Sequence, residues 1–116
     1  MKIYTYKGCS TCRNAVKWLH NKGHVFEELP IREQPPTHQE LETMLNHVGG
    51  QLRRLFNSSG QDYRSMGLKD RLPQLSTSEA LDLLQQNGNL IKRPFLLTDD
   101  WGTVGFKESV WSEHLG

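Results

Sequence analysis

The sequence predicts a single small α/β domain, in which a parallel βαβ unit comes first, an antiparallel β-hairpin comes last and helices surround the sheet. Three observations predict this order. Two short apolar runs flank an early segment with helical spacing, two helix-capping boxes mark the middle of the chain, and the densest apolar run lies near its carboxyl end. With 116 residues, we expect one domain spanning residues 1–116.

The predicted βαβ unit lies at residues 3–31. Residues 3–6 form a β-branched and aromatic run that stops at Lys7-Gly8, which predicts a strand entering a loop. From Ser10 onward, apolar residues recur at helical spacing, and Gly23 stands where a left-handed helix cap is expected. A further apolar run at residues 25–31 predicts the second strand of the unit.

A helical insert is predicted at about residues 37–88, between the two halves of the sheet. Thr37 with Glu40 forms a capping box, as does Ser76 with Glu79. In such a box the two side chains satisfy amides that are left free at the start of a helix. Two independent helix starts are therefore marked inside the insert.

The last part of the chain is predicted to form a hairpin followed by a helix. A turn at residues 99–102 joins the apolar stretch 90–97 to a second strand at 103–106, and residues 108–115 carry apolar side chains on one helical side. Pro94 interrupts the first strand of this hairpin. Because proline cannot donate to the hydrogen-bond ladder, it marks an edge, a bulge or a cis bond.

Composition and charge argue against two classes of function. The chain has 14 Lys plus Arg, 13 Asp plus Glu and a net charge of +1, with both signs mixed along the sequence. It therefore lacks the one-sided positive field that direct binding of nucleic acid or of a membrane surface requires. No apolar run approaches the roughly 20 residues of a membrane span, and the first residues lack a signal-peptide pattern, so we expect a cytoplasmic location.

The candidate reactive groups are Cys9 and Cys12, the two cysteines of the chain. A C-x-x-C pair directly after a first strand, at the start of the helix of a βαβ unit, is typical of thioredoxin-like redox sites. The free amides of the helix start, with Lys7 and Arg13 nearby, favour the thiolate form of Cys9. Cys12 lies one turn later on the same side of the helix. We therefore expect Cys9 to attack and Cys12 to resolve.

Two other interpretations of the cysteine pair stay open at this point. The first is a pair of buried structural thiols. The second is zinc, because Cys9, Cys12, His20 and His24 have side chains that suit tetrahedral zinc. Only seven residues separate Cys12 from His20, fewer than the spacing of about twelve in zinc fingers. The position of the pair after a strand favours redox chemistry with no metal ligands.

Arg93 is the candidate anion-binding residue. Thioredoxin-like folds use a cis proline at the position of Pro94, and such a bond would turn Arg93 toward the cysteine loop. There its guanidinium would face a thiolate or an anionic substrate. The alternative is a solvent-facing arginine beside Lys92.

The most basic stretch of the chain begins at Arg53-Arg54 and continues with Arg64, Lys69 and Arg71. Such a stretch is either the solvated face of the helical insert or a protein-binding surface. The sequence alone leaves both interpretations open.

Four segments match the pattern of a known family. They are Tyr4 through Cys9-Ser10-Thr11-Cys12-Arg13, the segment Leu55-Phe56-Asn57-Ser58-Ser59-Gly60, Ile91-Lys92-Arg93-Pro94, and Val104-Gly105-Phe106. On these segments the chain resembles the arsenate reductase (ArsC)-like family, and within it the Spx/MgsR and YffB-like branch. The resemblance implies a thioredoxin-like fold (a βαβ unit, then a β-hairpin and helix) with an inserted helical subdomain. It also implies that Cys9 is the nucleophile and that Arg93 stands beside a cis proline, with Ser10, Thr11, Arg13 and Pro94 as the expected substrate-binding neighbours.

The chain departs from this family at several positions. Arsenate-reducing members carry further arginines for the oxyanion, which fall here on Asn57 and near Phe106 or Lys107. Spx-like and YffB-like members hold an arginine two positions later in the first of these loops, where this chain has Ser59. The histidine that precedes the cysteine in true reductases falls on Thr5. The resemblance therefore implies fewer anion ligands than in arsenate reductases.

Two functions follow from the resemblance, and a third from zinc. The first is a thiol-dependent oxidoreductase that acts on arsenate or on a glutathione-linked disulfide. It has no bound cofactor, and glutathione, glutaredoxin or thioredoxin is its reductant. The second is an Spx-like redox-sensing regulator, in which a Cys9–Cys12 disulfide changes the surface presented to the RNA polymerase alpha subunit. The glycine that Spx-type regulators use for that contact falls at or beside Gln51. The third is a zinc-stabilised binding module.

Overall fold

The computed structural model describes all residues from Met1 to Gly116 and contains one four-stranded sheet. Its strands are β1 (Lys2–Thr5), β2 (Glu27–Pro30), β3 (Phe95–Leu97) and β4 (Gly102–Val104), in the order β2-β1-β3-β4. The β1–β2 pair is parallel, and the β1–β3 and β3–β4 pairs are antiparallel. The predicted α/β architecture, with a parallel unit first and a hairpin last, is confirmed.

Six α-helices surround the sheet, and four of them lie between β2 and β3 in the chain. They are α1 (Ser10–Asn21), α2 (His38–His47), α3 (Gln61–Ser65), α4 (Leu68–Arg71), α5 (Thr77–Gln86) and α6 (Glu108–Leu115). Short 3₁₀ helices occupy Leu52–Leu55, Leu72–Gln74 and Gly88–Leu90.

Both predicted capping boxes are present. The Thr37 hydroxyl accepts from the Glu40 amide at 3.1 Å, and the Glu40 carboxylate accepts from the Thr37 amide at 3.0 Å. The same reciprocal pair joins Ser76 and Glu79. Helices α2 and α5 therefore begin where local sequence chemistry places their starts.

The sheet separates two apolar cores. Because neighbouring residues of a strand point to opposite faces, Tyr4 and Phe95 enter one core while Ile3 and Leu96 enter the other. The larger core lies under the helical insert. The smaller core lies between the sheet, α1 and α6, and its buried members include Trp111. Both cores pack against β1, which leads directly into the cysteine loop.

Strands β2 and β3 begin later in the chain than predicted. Strand β2 begins at Glu27 because Glu27 pairs with Lys2, so Val25 lies beyond the start of β1 and is 90% exposed. Strand β3 begins at Phe95, whereas the prediction began at residue 90. The preceding segment pairs with the insert, through a bridge between Phe56 and Ile91. The apolar run at residues 90–97 therefore correctly predicted burial, but the prediction of one continuous strand was wrong.

Gly88 lies against the backbone of Ile31 and Arg32, directly after β2. A Cβ atom on Gly88 would stand 2.0 Å from the Ile31 carbonyl oxygen and 2.9 Å from the Arg32 Cα. We expect Gly88→Ala to lower the free energy of unfolding by about 2–3 kcal/mol, because backbone must move to admit the methyl group. Urea denaturation measures this loss.

Gly49→Ala is the control for this substitution. Gly49 has a φ of +72° and open space around its Cβ position, so alanine there costs only the left-handed conformation, about 1 kcal/mol. An equal or smaller loss at Gly88 than at Gly49 would contradict the close approach.

Candidate functional site

Cys9 occupies the position immediately before α1. Its Sγ atom accepts a hydrogen bond from the Cys12 amide at 3.2 Å, so the sulfur caps one of the free amides of the helix. The loop is held by the Cys9 amide, which donates to the Tyr6 carbonyl at 3.0 Å. The positive end of the helix and the amide together stabilise negative charge on the Cys9 sulfur.

Cys12 lies beside Cys9 but in a different environment. Cys12 is 1% exposed, whereas Cys9 is half-buried, and both are free thiols. Burial, followed by a hydrogen bond with the Cys9 side chain, raises the pKa of the Cys12 thiol to about 12. A hydrogen bond with the Tyr6 backbone and the Arg93 charge lower this pKa by less than burial raises it. Cys12 is therefore protonated at neutral pH and shielded from solvent.

This asymmetry predicts an order of alkylation. At pH 7.5 iodoacetamide should modify Cys9 well before Cys12, because only thiolates react and Cys12 is both buried and protonated. Raising the pH toward 10 should speed the reaction of Cys12, since its thiolate fraction then increases about tenfold per pH unit. Peptide mass spectrometry over time checks the order. Earlier modification of Cys12 would contradict the described environments.

Arg93 lies near the cysteine site and packs against the ring of Tyr6. The Arg93–Pro94 peptide bond is cis, Pro94 is buried, and Arg93 is half-buried. The Arg93 guanidinium carbon lies 5.2 Å from the centre of the Tyr6 ring, and one guanidinium nitrogen donates to the Asn89 carbonyl at 3.5 Å. Neither cysteine sulfur receives a hydrogen bond from Arg93, although its charge acts on the Cys12 thiol. The ring of Tyr6 therefore positions the guanidinium beside the pair.

Tyr6 and Arg32 are site residues that the sequence analysis missed. The Arg32 guanidinium carbon lies 4.8 Å from the centre of the Tyr6 ring, so two arginines share this ring. The ring also packs against Gly8, where a Cβ atom would stand 2.6 Å from Tyr6 Cε2. In the sequence, Tyr6 looked like an ordinary strand residue. No local signal joins it to Arg32 or to Arg93.

The other expected substrate-binding residues lie around the same loop. Ser10 and Thr11 are exposed in the first turn of α1, and Arg13 donates from its guanidinium to the Lys7 carbonyl at 2.7 Å. A cavity of about 390 Å³ opens beside α1, and Cys12 and Arg13 are among the residues that line it. Cys9 is not among the residues that line this cavity, so the cavity by itself does not place a substrate against the nucleophile.

Of the positions where the family carries further arginines, Asn57 and Phe106 hold no cation, whereas Lys107, the alternative to Phe106, is an exposed lysine. Asn57 is half-buried, and its backbone amide donates to the Leu90 carbonyl at 2.7 Å. Phe106 packs edge-on against Trp111, with ring centres 4.7 Å apart, in the smaller core. Neither side chain can bind an anion as arginine does.

The zinc interpretation gains no ligand set. His20 packs against Phe26, and His24 stacks on Trp18 with ring centres 6.0 Å apart. The fold brings no three Cys, His, Asp or Glu side chains together in an arrangement that could hold a metal ion. The two cysteines and the two histidines therefore do not form one set of metal ligands.

None of the helices has the length and apolarity needed to cross a membrane. The longest helix described above, α1, has 12 residues.

Known sequences and structures that resemble this protein cover nearly the whole chain. The sequence model of the ArsC family matches residues 4–114. "Uncharacterized protein YusI" of Bacillus subtilis (strain 168) is 42% identical over 114 residues, which cover 98% of this chain and 97% of YusI. The arsenate reductase of Rhizobium meliloti (strain 1021) is 32% identical, with 82% and 66% of the two chains covered.

A regulator and a solved structure are also similar. The global transcriptional regulator Spx of Streptococcus mutans is 24% identical, with 91% of this chain and 76% of Spx covered. The crystal structure of a possible arsenate reductase from Streptococcus mutans UA159 superposes with a TM-score of 0.90 at 36% identity, covering 98% of this chain and 97% of the other. The thioredoxin-like fold expected from the sequence is thereby confirmed.

Proposed function

Because the chain belongs to the ArsC family, whose relatives include reductases and Spx-like regulators, we propose that it is a thiol-dependent oxidoreductase with a two-cysteine mechanism. Cys9 is the nucleophile and Cys12 is the resolving thiol. The observation that carries this proposal is the asymmetry of the pair: a half-buried sulfur at the start of α1 beside a buried, protonated one. Accessible thiolates attack, and shielded thiols react only with a neighbour.

The proposed reaction transfers two electrons to a disulfide that contains glutathione. The Cys9 thiolate attacks one sulfur of the substrate, forms a mixed disulfide and releases the other half as a thiolate. Cys12 then loses its proton and attacks the Cys9 sulfur, which forms the Cys9–Cys12 disulfide and releases the second thiol. Two molecules of glutathione, or the dithiol of a glutaredoxin or thioredoxin, restore both cysteines and become oxidised.

The absence of the family arginines at Asn57 and Phe106 favours this substrate over arsenate. The charge of Arg93 lowers the pKa of Cys12, against the larger effect of burial, and so supports the thiolate that forms during resolution. A tetrahedral oxyanion needs several donors, and Asn57 and Phe106 supply no cation for it. A glutathione-linked disulfide needs less charge compensation at the reacting atoms.

A coupled assay tests this proposal. The reduced protein is given either a mixed disulfide of glutathione with a small thiol or arsenate, with glutathione or thioredoxin as reductant, and NADPH oxidation by the matching reductase is followed. We expect turnover with the mixed disulfide and a kcat/KM for arsenate at least tenfold lower. The absence of turnover with every combination would contradict an enzymatic function.

A redox-sensing regulator is the second candidate function. It is favoured by the C-x-x-C pair together with the similarity to Spx. In this case the reduced or the oxidised protein, but not both, binds the purified RNA polymerase alpha subunit. Binding that depends on the Cys9–Cys12 disulfide, without turnover in the coupled assay, would replace the enzymatic proposal.

Substitution of Tyr6 tests how Arg93 is positioned. Tyr6→Leu removes the aromatic ring under the guanidinium, and we expect kcat/KM for the mixed disulfide to fall about tenfold, the equivalent of one strong cation–π contact. Tyr6→Phe keeps the ring and should stay within about twofold of the original protein. If both variants lose activity equally while their unfolding midpoints match, the hydroxyl rather than the ring is important.

A further inference from the structure

The basic residues Arg53, Arg54 and Lys92 line a second cavity, away from the cysteines. Its volume is about 320 Å³, and the hydroxyl of Ser58 and the amide of Gln51 complete the polar part of its wall. This basic cavity contains three cations and two neutral polar groups. No carboxylate lines it.

The three cations have no counter-ion in the protein. The ion pairs of the chain involve Lys2 and His38, and none includes Arg53, Arg54 or Lys92. All three residues are exposed. Three like charges around one concave surface repel each other unless an anion joins them, and they gain most from an anion that carries more than one charge.

The framework of the basic cavity is rigid. The Lys92 amide donates to the Leu55 carbonyl at 2.8 Å, and the Asn57 amide donates to the Leu90 carbonyl at 2.7 Å, on either side of the Phe56–Ile91 bridge. These bonds fix the 3₁₀ helix that carries the two arginines against the segment that carries Lys92. Phe56 is 2% exposed and forms part of the floor. The backbone therefore sets the spacing between the Cα atoms of the two arginines and that of Lys92 before any ligand binds.

The basic cavity is separate from the cysteine site. Neither cysteine nor Arg93 is among the residues that line the basic cavity. Arg93 lies over Tyr6, whereas the Lys92 side chain lies near Gly105, whose Cβ position is 3.6 Å from Lys92 Cε. An anion held by Arg53, Arg54 and Lys92 thus occupies its own site.

We propose that the basic cavity binds a phosphate group. Two guanidinium groups offer paired donors to oxygens, and a lysine ammonium and a hydroxyl add further donors, which matches a tetrahedral oxyanion with several acceptor oxygens better than a single carboxylate. The phosphate comes either from inorganic phosphate or from a small phosphate monoester. The site requires no redox activity, so it stands independently of the oxidoreductase function.

Titration with inorganic phosphate, followed by amide chemical shifts, tests this site. The protein carries Cys9→Ser and Cys12→Ser so that thiol chemistry cannot contribute, and ionic strength is held constant with sodium chloride. We expect saturable shifts centred on the amides of Arg53, Arg54, Ser58 and Lys92. A parallel titration with glycerol 3-phosphate distinguishes the two sources, since tighter binding of the monoester assigns a phosphorylated small molecule and equal or weaker binding assigns inorganic phosphate.

A matched pair of triple variants isolates the basic cavity. Arg53→Gln/Arg54→Gln/Lys92→Gln should weaken phosphate binding at least tenfold. Arg64→Gln/Lys69→Gln/Arg71→Gln also removes two arginines and one lysine, but from exposed positions that do not line the basic cavity, and it should change the Kd less than twofold.

Three results would overturn the proposal. One is equal weakening in both triple variants, which indicates a general charge effect. Another is phosphate shifts confined to the cysteine loop. The third is binding of poly-glutamate with no response to phosphate, which would make the surface a docking site for an acidic protein.

Discussion

Cys9→Ser should lower turnover of a glutathione mixed disulfide by roughly 1,000-fold or more, because a serine hydroxyl is not ionised at neutral pH and cannot displace a thiolate. The same variant should form no mixed disulfide with glutathione at Cys12 under conditions where the original protein forms one at Cys9. Cys12 is 1% exposed, and its pKa is raised to about 12 by burial and by its hydrogen bond with Cys9. Turnover by the coupled assay and intact mass by spectrometry measure the two effects.

Asn14→Ala is the control for this loss. Asn14 is exposed in α1, two residues after the resolving cysteine, and is not one of the expected site residues, so its substitution tests disturbance of the helix start without removing a thiol. We expect activity within about twofold of the original protein, as is usual for a surface substitution. Retained turnover in Cys9→Ser would mean that Cys12 is the nucleophile, and the proposed order of attack would be wrong.

Cys12→Ser should separate the two chemical steps. The Cys9 sulfur keeps its place at the start of α1, since the bond that it accepts comes from the backbone amide of residue 12 and not from the side chain. The first attack should therefore proceed, and the mixed disulfide on Cys9 should accumulate because no internal thiol can displace it. We expect one bound substrate thiol per protein and a fall in turnover of at least about tenfold.

The dependence on glutathione decides what resolves the intermediate. In Cys12→Ser, slow turnover that rises in proportion to glutathione is expected, because an external thiol must then do the work of Cys12. Complete turnover, unchanged from the original protein, would contradict the resolving role and leave a one-cysteine mechanism.

Much of this molecule was predictable because the controlling interactions are local. The capping boxes at Thr37 and Ser76 depend on residues three positions apart, and the location of Cys9 before α1 depends on a strand and a helix that adjoin in sequence. The family resemblance added the cis bond before Pro94, which the structure has.

The remainder depends on contacts between distant parts of the chain. The strand expected from residue 90 was shortened because Ile91 pairs with Phe56 and not with β1, and apolarity alone does not reveal that partner. The role of Tyr6 escaped prediction for the same reason, since Arg32 and Arg93 meet on its ring only after the sheet has formed. Arg93 was expected to face Cys9 directly. In the structure its guanidinium lies over the Tyr6 ring and donates to the Asn89 carbonyl.

The proposed function requires that Cys9 and Cys12 form a reversible disulfide at a potential that a glutathione buffer can reach. The most direct measurement is a redox titration of metal-free protein across a series of glutathione ratios, with thiols counted by mass after alkylation and with both single serine variants alongside. We predict a reversible two-electron loss of both thiols with a midpoint in the range of about −180 to −300 mV, and no such transition in either variant. A protein whose two thiols stay reduced across the whole series would contradict the two-cysteine enzyme and the disulfide-switched regulator together.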